Sequence, residues 1–261
     1  MNILLNGFSG FMGTEVVKLA SAGYRGARVT VGVDPAAKDG EDVALFRSLD
    51  DITDATGIDC IIDFSHHSCV CSLLDFAKEN SIPTVVCTTG HTEDELRAIR
   101  SAALEIPVFF SANMSLGVAL LVDLAKRAAL AMPEAEIEII EKHHNRKLDA
   151  PSGTALMIAN ALTEVRPEAY TNLGRSGNGK RAREEIGIHA IRMGNIVGEH
   201  EVIIGTQNQT ITLKHEAHSR ALFAEGALAA AEFLVGMKPG LYDMKSIFSG
   251  DSADNEYSGK K

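Results

Sequence analysis

The sequence predicts an α/β fold, in which a parallel-sheet domain is joined to a second α+β domain with an open mixed sheet. Three observations carry that prediction. Short, wholly apolar runs alternate with helical patterns over residues 1–113; the first run passes through closely spaced glycines into a helix; and the polarity pattern changes near residue 114.

The first strand is Ile3-Leu4-Leu5, followed by Asn6-Gly7-Phe8-Ser9-Gly10-Phe11-Met12-Gly13 and the helical pattern Val16, Val17, Leu19, Ala20. Strand, glycine-rich turn and helix in this order bring a dinucleotide pyrophosphate against backbone N–H groups, as in a Rossmann-type domain. The spacing Gly7, Gly10, Gly13 departs from G-x-G-x-x-G, and a simple tight turn would read the same by itself. Support comes from the second strand, Val29 to Val33, which ends at Asp34, about 20 residues past Gly13, where a ribose-binding acid belongs. A carboxylate there accepts from both ribose hydroxyls and repels a 2′-phosphate, and Pro35 offers no cation, so the site leans toward NAD. The bland alternative for Asp34 is a turn residue before proline.

A third strand, Cys60 to Ser65, and a fourth, Thr84 to Cys87, continue the alternation, with Leu73, Leu74, Phe76 and Ala77 between them on a helix. Their C-terminal ends carry Ser65 and Thr88-Thr89-Gly90, small groups suited to the edge of a flat nicotinamide ring, although hydroxyls there also serve as ordinary caps. Val108-Phe109-Phe110 leads through Ser111-Ala112-Asn113-Met114-Ser115 into a long apolar helix from Gly117 to about Ala131.

Glu138 to Thr154 is the densest stretch of chemistry: E-I-I-E-K-H-H-N-R-K-L-D-A-P-S-G-T. Ile137, Ile139 and Ile140 fit a strand core, and Ser152-Gly153-Thr154 opens the helical run Ala155, Leu156, Ile158, Ala159, Leu162. The polar residues therefore fall at the C-terminal end of a strand, where the N–H groups of the next helix favour a carboxylate or phosphate and Lys147 and Arg146 supply positive charge. Read blandly, His143 and His144 are polar loop residues and Ser152 is only an N-cap. Adjacent histidines within a strand would face opposite ways, so both serve one pocket only if the strand has ended.

With these segments in hand, the chain resembles the dihydrodipicolinate reductase family over nearly all of residues 1–248. The motifs are E-K-H-H-N-R-K-L-D-A-P-S-G-T-A (Glu141 to Ala155), F-M-G (Phe11 to Gly13), D-F-S (Asp63 to Ser65), T-T-G (Thr88 to Gly90) and S-A-N-M-S-L-G-V (Ser111 to Val118), together with R-M-G-N-I-V-G-E-H (Arg192 to His200) and G-L-Y-D-M (Gly240 to Met244). H-H-x-x-K with the downstream S-G-T is specific to that family; the glycine loop is not. The resemblance implies a cytoplasmic, homotetrameric enzyme of the diaminopimelate route to lysine. It would reduce a cyclic unsaturated imine dicarboxylate with NADH or NADPH, passing hydride from nicotinamide C4 to substrate C4 and protonating the neighbouring carbon. By the same resemblance His143 is the catalytic acid and Lys147 the lysine that binds substrate and assists protonation, while His144, Ser152, Gly153 and Thr154 form the carboxylate cradle. The cofactor positions implied are Gly7, Gly10, Phe11, Met12, Gly13, Asp34, Phe64, Ser65, Thr88, Thr89, Gly90, Ser111, Asn113 and Met114, and no metal is expected.

Two positions depart from the family pattern. Phe11 stands where arginine or lysine is frequent, which strengthens the NAD reading while leaving dual use through Lys38. His66-His67 stand where proline is common, and solvated loop histidines are the expectation there. Within oxidoreductases the rivals are homoserine dehydrogenase and a phosphorylating aldehyde dehydrogenase, the latter needing a nucleophilic cysteine for which only Cys87 offers itself. Outside catalysis, a redox-sensing NAD-binding module would keep the glycine loop and Asp34 but have no use for His143, Lys147 and S-G-T.

Composition sets the remaining bounds. With 261 residues, 45% hydrophobic and 23% charged, the chain suits one large or two modest core-bearing domains. The net charge of −10 disfavours nucleic acid and membrane surfaces as partners. No segment is long and apolar enough to span a bilayer, and Met1-Asn2-Ile3 enters a strand with no basic n-region, so cytoplasmic residence is expected. Cys60, Cys69, Cys71 and Cys87 read as reduced, partly buried thiols, because Cys69-x-Cys71 has no second pair to complete a zinc site. Lys180, Arg181 and Arg183 beside Gly177-Asn178-Gly179 read as a mobile solvated loop. The expected domains are 1–113 with 222–248 for the dinucleotide, 114–221 for substrate and tetramerisation, and a flexible tail at 249–261. The second domain should hold strands at Ile137 to Lys142, Ile186 to Met193, Glu201 to Gly205 and Thr210 to Glu216, the last two forming a hairpin about Gln207-Asn208-Gln209. Its open sheet needs covering by assembly.

Overall fold

The computed structural model describes residues 1–37 and 43–249; Lys38 and the expected tail beyond Ser249 lie outside the described residues. The chain divides into two compact units, Met1–Ser115 with the segment from Ala221 onward, and Leu116–Arg220.

In chain order, the first unit begins with β1 (Asn2–Asn6), α1 (Phe11–Ser21), β2 (Arg28–Val33), β3 (Ala44–Phe46), β4 (Cys60–Asp63) and α2 (Val70–Glu79). It continues with β5 (Thr84–Val86), α3 (Glu93–Ala102) and β6 (Pro107–Phe110). The second unit holds α4 (Leu116–Ala131), β7 (Glu136–His143), α5 (Gly153–Val165), β8 (Tyr170–Leu173), β9 (Glu185–Arg192), β10 (Gly198–Gly205) and β11 (Thr210–Ala217). The chain then returns to the first unit for α6 (Ala221–Leu234), β12 (Gly240–Tyr242) and α7 (Ser246–Ser249).

The first unit is a seven-stranded sheet in the order β12-β6-β5-β4-β1-β2-β3, parallel throughout. From β1 the chain first runs outward through β2 and β3, then restarts at β4 on the other side. The strand order thus reverses between β1 and β4, and the crevice past their C-terminal ends is where open α/β sheets bind ligands. Successive side chains face opposite ways. Leu4, Ile61, Val86 and Val108 meet Leu73, Leu74 and Ile99 of α2 and α3 on one face, whereas Phe109 stacks edge-on against Phe233 of α6 on the other. Burial on both faces explains the unbroken apolar strands. α3, with no counterpart in the sequence-based assignment, starts at a capping box in which Thr92 and Glu95 satisfy each other's backbone N–H groups.

The second unit is a mixed five-stranded sheet, β11-β10-β7-β9-β8. β8 and β9 run parallel to β7, β10 runs antiparallel to it, and β10 and β11 form the expected hairpin. On β7 burial alternates strictly, with Ile137, Ile139, Glu141 and His143 inward. Ile137 and Ile139 join Ile158, Leu162, Val202 and Ile204 in the core beneath α4 and α5, each such side chain contributing roughly 1.5–3 kcal/mol. The same period-2 register carries Glu141 and His143 onto this covered face at the end of the strand.

One expectation is corrected here. Arg181 is not part of a solvated loop: its side chain is 14% exposed and ion-paired to Glu138 at 3.0 Å. It also donates to the carbonyls of Ile137 and Ala182 at 2.9 and 2.8 Å, so its guanidinium pins the entry of β9 to β7. Arg183 does remain exposed, paired with Glu134 at the surface.

Candidate active site

In the first unit the glycine loop owes its shape to close backbone approaches. Gly7 has φ +83°, and a Cβ on it would lie 2.7 Å from the Phe64 carbonyl carbon; one on Gly13 would lie 2.2 Å from the Gly7 oxygen. Only hydrogen fits either place. Gly10 is the N-cap of α1 and supplies no side chain to its amides, which leaves the helix mouth suited to an anion. Phe11 is 59% exposed at the first position of α1, Met12 is half-buried and Gly13 buried. At the end of β2, Asp34 accepts the Ser9 amide at 3.0 Å and the Ala36 amide at 2.9 Å.

The ends of β4 and β5 form a cleft of about 260 Å³ lined by Phe64, Ser65, His66, His67, Cys87, Thr88 and Thr89. Its floor is organised by Asp63, a residue to which sequence reasoning assigned no role. This carboxylate is wholly buried and accepts from the Ser65 hydroxyl (2.6 Å) and amide (3.1 Å), from Asn6 Nδ2 (2.9 Å) and from the Thr88 hydroxyl (3.3 Å). Burial pushes its pKa up against the pull of those donors. Thr89 and Gly90 are exposed at the rim. Ser111 and Asn113 brace their own turn, Ser111 Oγ donating to the Asn113 carbonyl at 2.8 Å and Asn113 Oδ1 accepting the Ser115 amide at 2.9 Å. Met114 is 3% exposed, and its carbonyl lies so near Gly226 of α6 that a Cβ there would sit 1.7 Å away.

Of the paired histidines, His66 is exposed as expected of a solvated loop residue, while His67 is half-buried and tied to a neighbouring helix. His66 caps a short 3₁₀ turn through the Ser68 amide, and His67 holds Glu95 at 2.9 Å. Glu95 also closes the capping box of α3, so His67 ties the β4 connection to that helix.

In the second unit, β7 ends at His143, and His144 has left the strand: its amide donates to the Ile196 carbonyl at 2.7 Å. His143 is 9% exposed. Its Nδ1 lies 2.6 Å from Glu141 Oε2, and its Nε2 faces Gly198, where a Cβ would come within 3.1 Å. Glu141, fully buried, also receives Arg192 on both oxygens at 2.6 and 2.7 Å and the Ser152 amide at 2.9 Å. Burial opposes that charge, but Arg192, His143 and Ser152 outweigh it and hold the carboxyl below the usual range.

Ser152 caps α5 by accepting the Ala155 amide at 3.2 Å, and its hydroxyl pairs with His200 Nε2 at 3.1 Å. Gly153 and Thr154 lie between these tied positions, at the mouth of the helix. His200 is buried and kept neutral, its pKa lowered to about 4 first by burial and then by the charge of His143. Lys147 pairs with the exposed Asp149 at 2.9 Å, a contact that ordinarily contributes little. Nδ1 of His144 is buried with no hydrogen-bond partner among the described residues, and burial followed by the charge of Arg146 lowers the pKa of that ring. The unit thus gathers His143, His144, Lys147, Ser152, Gly153 and Thr154 on one connection. It adds Glu141, Arg192 and His200, to which the sequence analysis assigned no role. The alternating inward face of β7 was the signal for Glu141; Arg192 and His200 arrive through pairing with β9 and β10, and their one mark in the sequence is that they bound the R-M-G-N-I-V-G-E-H motif.

Two family models cover the chain, one described as Dihydrodipicolinate reductase, N-terminus, over residues 1–114, the other as Dihydrodipicolinate reductase, C-terminus, over 117–248. A 4-hydroxy-tetrahydrodipicolinate reductase of Caldanaerobacter subterraneus is 45% identical over 249 residues, covering 95% of this chain and 98% of the relative. One of Clostridium novyi is 40% identical over 94% of this chain and 97% of its own. Among solved structures, a dipicolinate-bound dihydrodipicolinate reductase from a Paenisporosarcina species superposes with a TM-score of 0.79 at 24% identity, over 93% of this chain and 97% of that one, a likeness of fold.

Proposed function

The chain belongs to the dihydrodipicolinate reductase family, and from that premise and the geometry above we propose how its residues share the work. The reaction is the NAD(P)H-dependent reduction of 4-hydroxy-tetrahydrodipicolinate to tetrahydrodipicolinate in lysine and diaminopimelate biosynthesis. A bound reduced nicotinamide supplies the hydride.

The close-fitted Gly7, Gly10 and Gly13 loop suits the pyrophosphate, with Phe11 and Met12 at the helix mouth. Asp34, already oriented by the Ser9 and Ala36 amides, receives the ribose hydroxyls and makes NADH the favoured reductant. Phe64, Ser65, Thr88, Thr89 and Gly90, with Ser111, Asn113 and Met114, would hold the nicotinamide end of the cofactor.

His143 donates the proton to the carbon beside the reduced one, through Nε2, because Nδ1 is engaged by Glu141. The dicarboxylate needs two anion sites. One is the α5 mouth with Ser152, Gly153 and Thr154; the other is Lys147 with His144. Displacing Asp149 from Lys147 costs little, since the Asp149 carboxylate is exposed to solvent. The observation that carries the reading is that one strand end brings His143 and the α5 cradle onto a single buried carboxylate.

A cytoplasmic homotetramer completes the proposal. Ile191, Met193, Tyr170 and Leu173 are exposed along β8, β9 and the residue that follows, an apolar fringe that assembly of the mixed sheets would cover. No described helix is long and apolar enough to cross a membrane. The direct test feeds the product of dihydrodipicolinate synthase to the purified protein and follows NADH and NADPH oxidation separately. Substrate-dependent oxidation is expected. Tight NADH binding with no oxidation of either nucleotide would favour a non-catalytic redox sensor.

A further inference from the structure

We infer that Glu141, clamped by Arg192, is the residue that positions the proton donor and the substrate cradle together: one oxygen of its carboxylate takes the Nδ1–H of His143 and the other the Ser152 amide. The inference rests on reading His143 as the donor, and adds a reason for its orientation.

Four donors converge on this carboxylate: His143 Nδ1 at 2.6 Å, the two terminal nitrogens of Arg192 at 2.7 and 2.6 Å, and the Ser152 amide at 2.9 Å. Glu141 and His143 are two positions apart on β7 and share its inward face. Arg192 stands opposite His143 in the parallel pairing of β7 with β9, so its planar fork reaches back to both oxygens and leaves the carboxylate no rotational freedom. The second terminal nitrogen also holds the Asp149 carbonyl at 2.6 Å, which fixes the loop that carries Lys147.

An ionised carboxylate only accepts hydrogen bonds. The nitrogen of His143 facing it must therefore carry a proton, and the neutral ring is the Nδ1–H tautomer. Nε2 is left as the nitrogen that gains and loses the transferable proton, and it points toward the one strand position, Gly198, that has no side chain to meet it. The other oxygen, by holding the Ser152 amide, sets where α5 begins and so where the Gly153 and Thr154 amides lie. A single anion thereby registers donor and cradle against each other. Outer partners of this kind typically govern 10- to 100-fold in activity (about the range known for ligand-orienting carboxylates).

The test is a nitrogen-15 spectrum of histidine-labelled whole protein, with His143 assigned by difference against His143→Gln, alongside steady-state kinetics of Glu141→Gln and Arg192→Lys. In wild type the neutral ring is expected as Nδ1–H. Glu141→Gln, isosteric but with an NH₂ in place of one oxygen, should shift the ring toward Nε2–H. It should lower kcat by about 10- to 100-fold, raise KM for the dicarboxylate and leave the Kd for NADH within about twofold, a split that general unfolding would not produce. Arg192→Lys should keep the Nδ1–H tautomer while losing about tenfold in kcat, because it retains charge without the fork. An Nε2–H tautomer in wild type overturns the inference, as does Glu141→Gln with wild-type kcat; should that variant fail to fold, the wild-type spectrum and Arg192→Lys decide. A His143→Gln protein with normal turnover would instead remove the donor reading itself, whatever the tautomer.

Discussion

Asp34 Oδ2 accepts the Ser9 amide at 3.0 Å, joining the end of β2 to the glycine loop before any nucleotide enters. The carboxylate is thus fixed where a ribose would meet it, with Pro35 and Ala36, neither cationic, next in the chain. Asp34→Ala should weaken NADH by about tenfold, the value of one or two charge-assisted hydrogen bonds, and spare NADPH. Comparison of kcat/KM for the two nucleotides checks this. A wild-type enzyme at least tenfold more efficient with NADPH would remove Asp34 from cofactor choice.

Gly198 governs the space beside the reacting nitrogen of His143. A Cβ at this position would lie 3.1 Å from Nε2, tight enough to push the ring by a few tenths of an ångström. Gly198→Ala is therefore expected to keep its fold and its NADH affinity while losing about tenfold in kcat, since small displacements of a reacting group are costly. Unaltered kcat in a well-folded Gly198→Ala protein would mean that His143 has slack, against the fixed orientation argued above.

His200 predicts an acid limb in stability. Its folded pKa is lowered to about 4, chiefly by burial, against about 6.5 unfolded. Between those values the unfolded chain binds the proton that the folded chain refuses, so stability falls as the pH drops from about 6.5 toward 4, by roughly 3 kcal/mol from this group. Urea midpoints at neutral pH and near pH 4.5 should converge in His200→Gln relative to wild type. An equal loss in both proteins would assign the acid sensitivity elsewhere.

Much of the fold is legible because it is local. Ile3-Leu4-Leu5 and Cys60-Ile61-Ile62 are apolar on both faces, as strands buried in a parallel sheet must be, and the glycines between β1 and α1 mark a turn that only glycine fits. Edge strands β3 and β8 span three and four residues with partly exposed patterns, too little periodicity to stand out. α3 is different: its Thr92 to Glu95 capping box and its apolar stripe of Leu96, Ile99 and Ala102 were both there to be read, and were passed over between the charged residues that make up the rest of the helix. At the site, H-H-x-x-K and S-G-T lie within one connection and could be read together. Arg192 and His200 could not, because their place beside Glu141 depends on the pairing of β7 with β9 and β10, which no nearby residue signals. Arg181 was misread for the same reason: the neighbouring glycines suggest a loop, while its ion pair with Glu138 and its bond to the Ile137 carbonyl reach residues more than forty positions away.

The central claim is that His143 gives the proton while Lys147 holds a carboxylate, and steady-state constants for His143→Gln set beside Lys147→Ala test it most directly. His143→Gln should lose about 10²- to 10⁴-fold in kcat with little change in KM, as expected when a general acid is removed. Lys147→Ala should raise KM as well as lower kcat, because the lost ion pair serves ground and transition states alike. A His143→Gln enzyme that turns over at a near-normal kcat would contradict the account, and leave Lys147 or water as the acid.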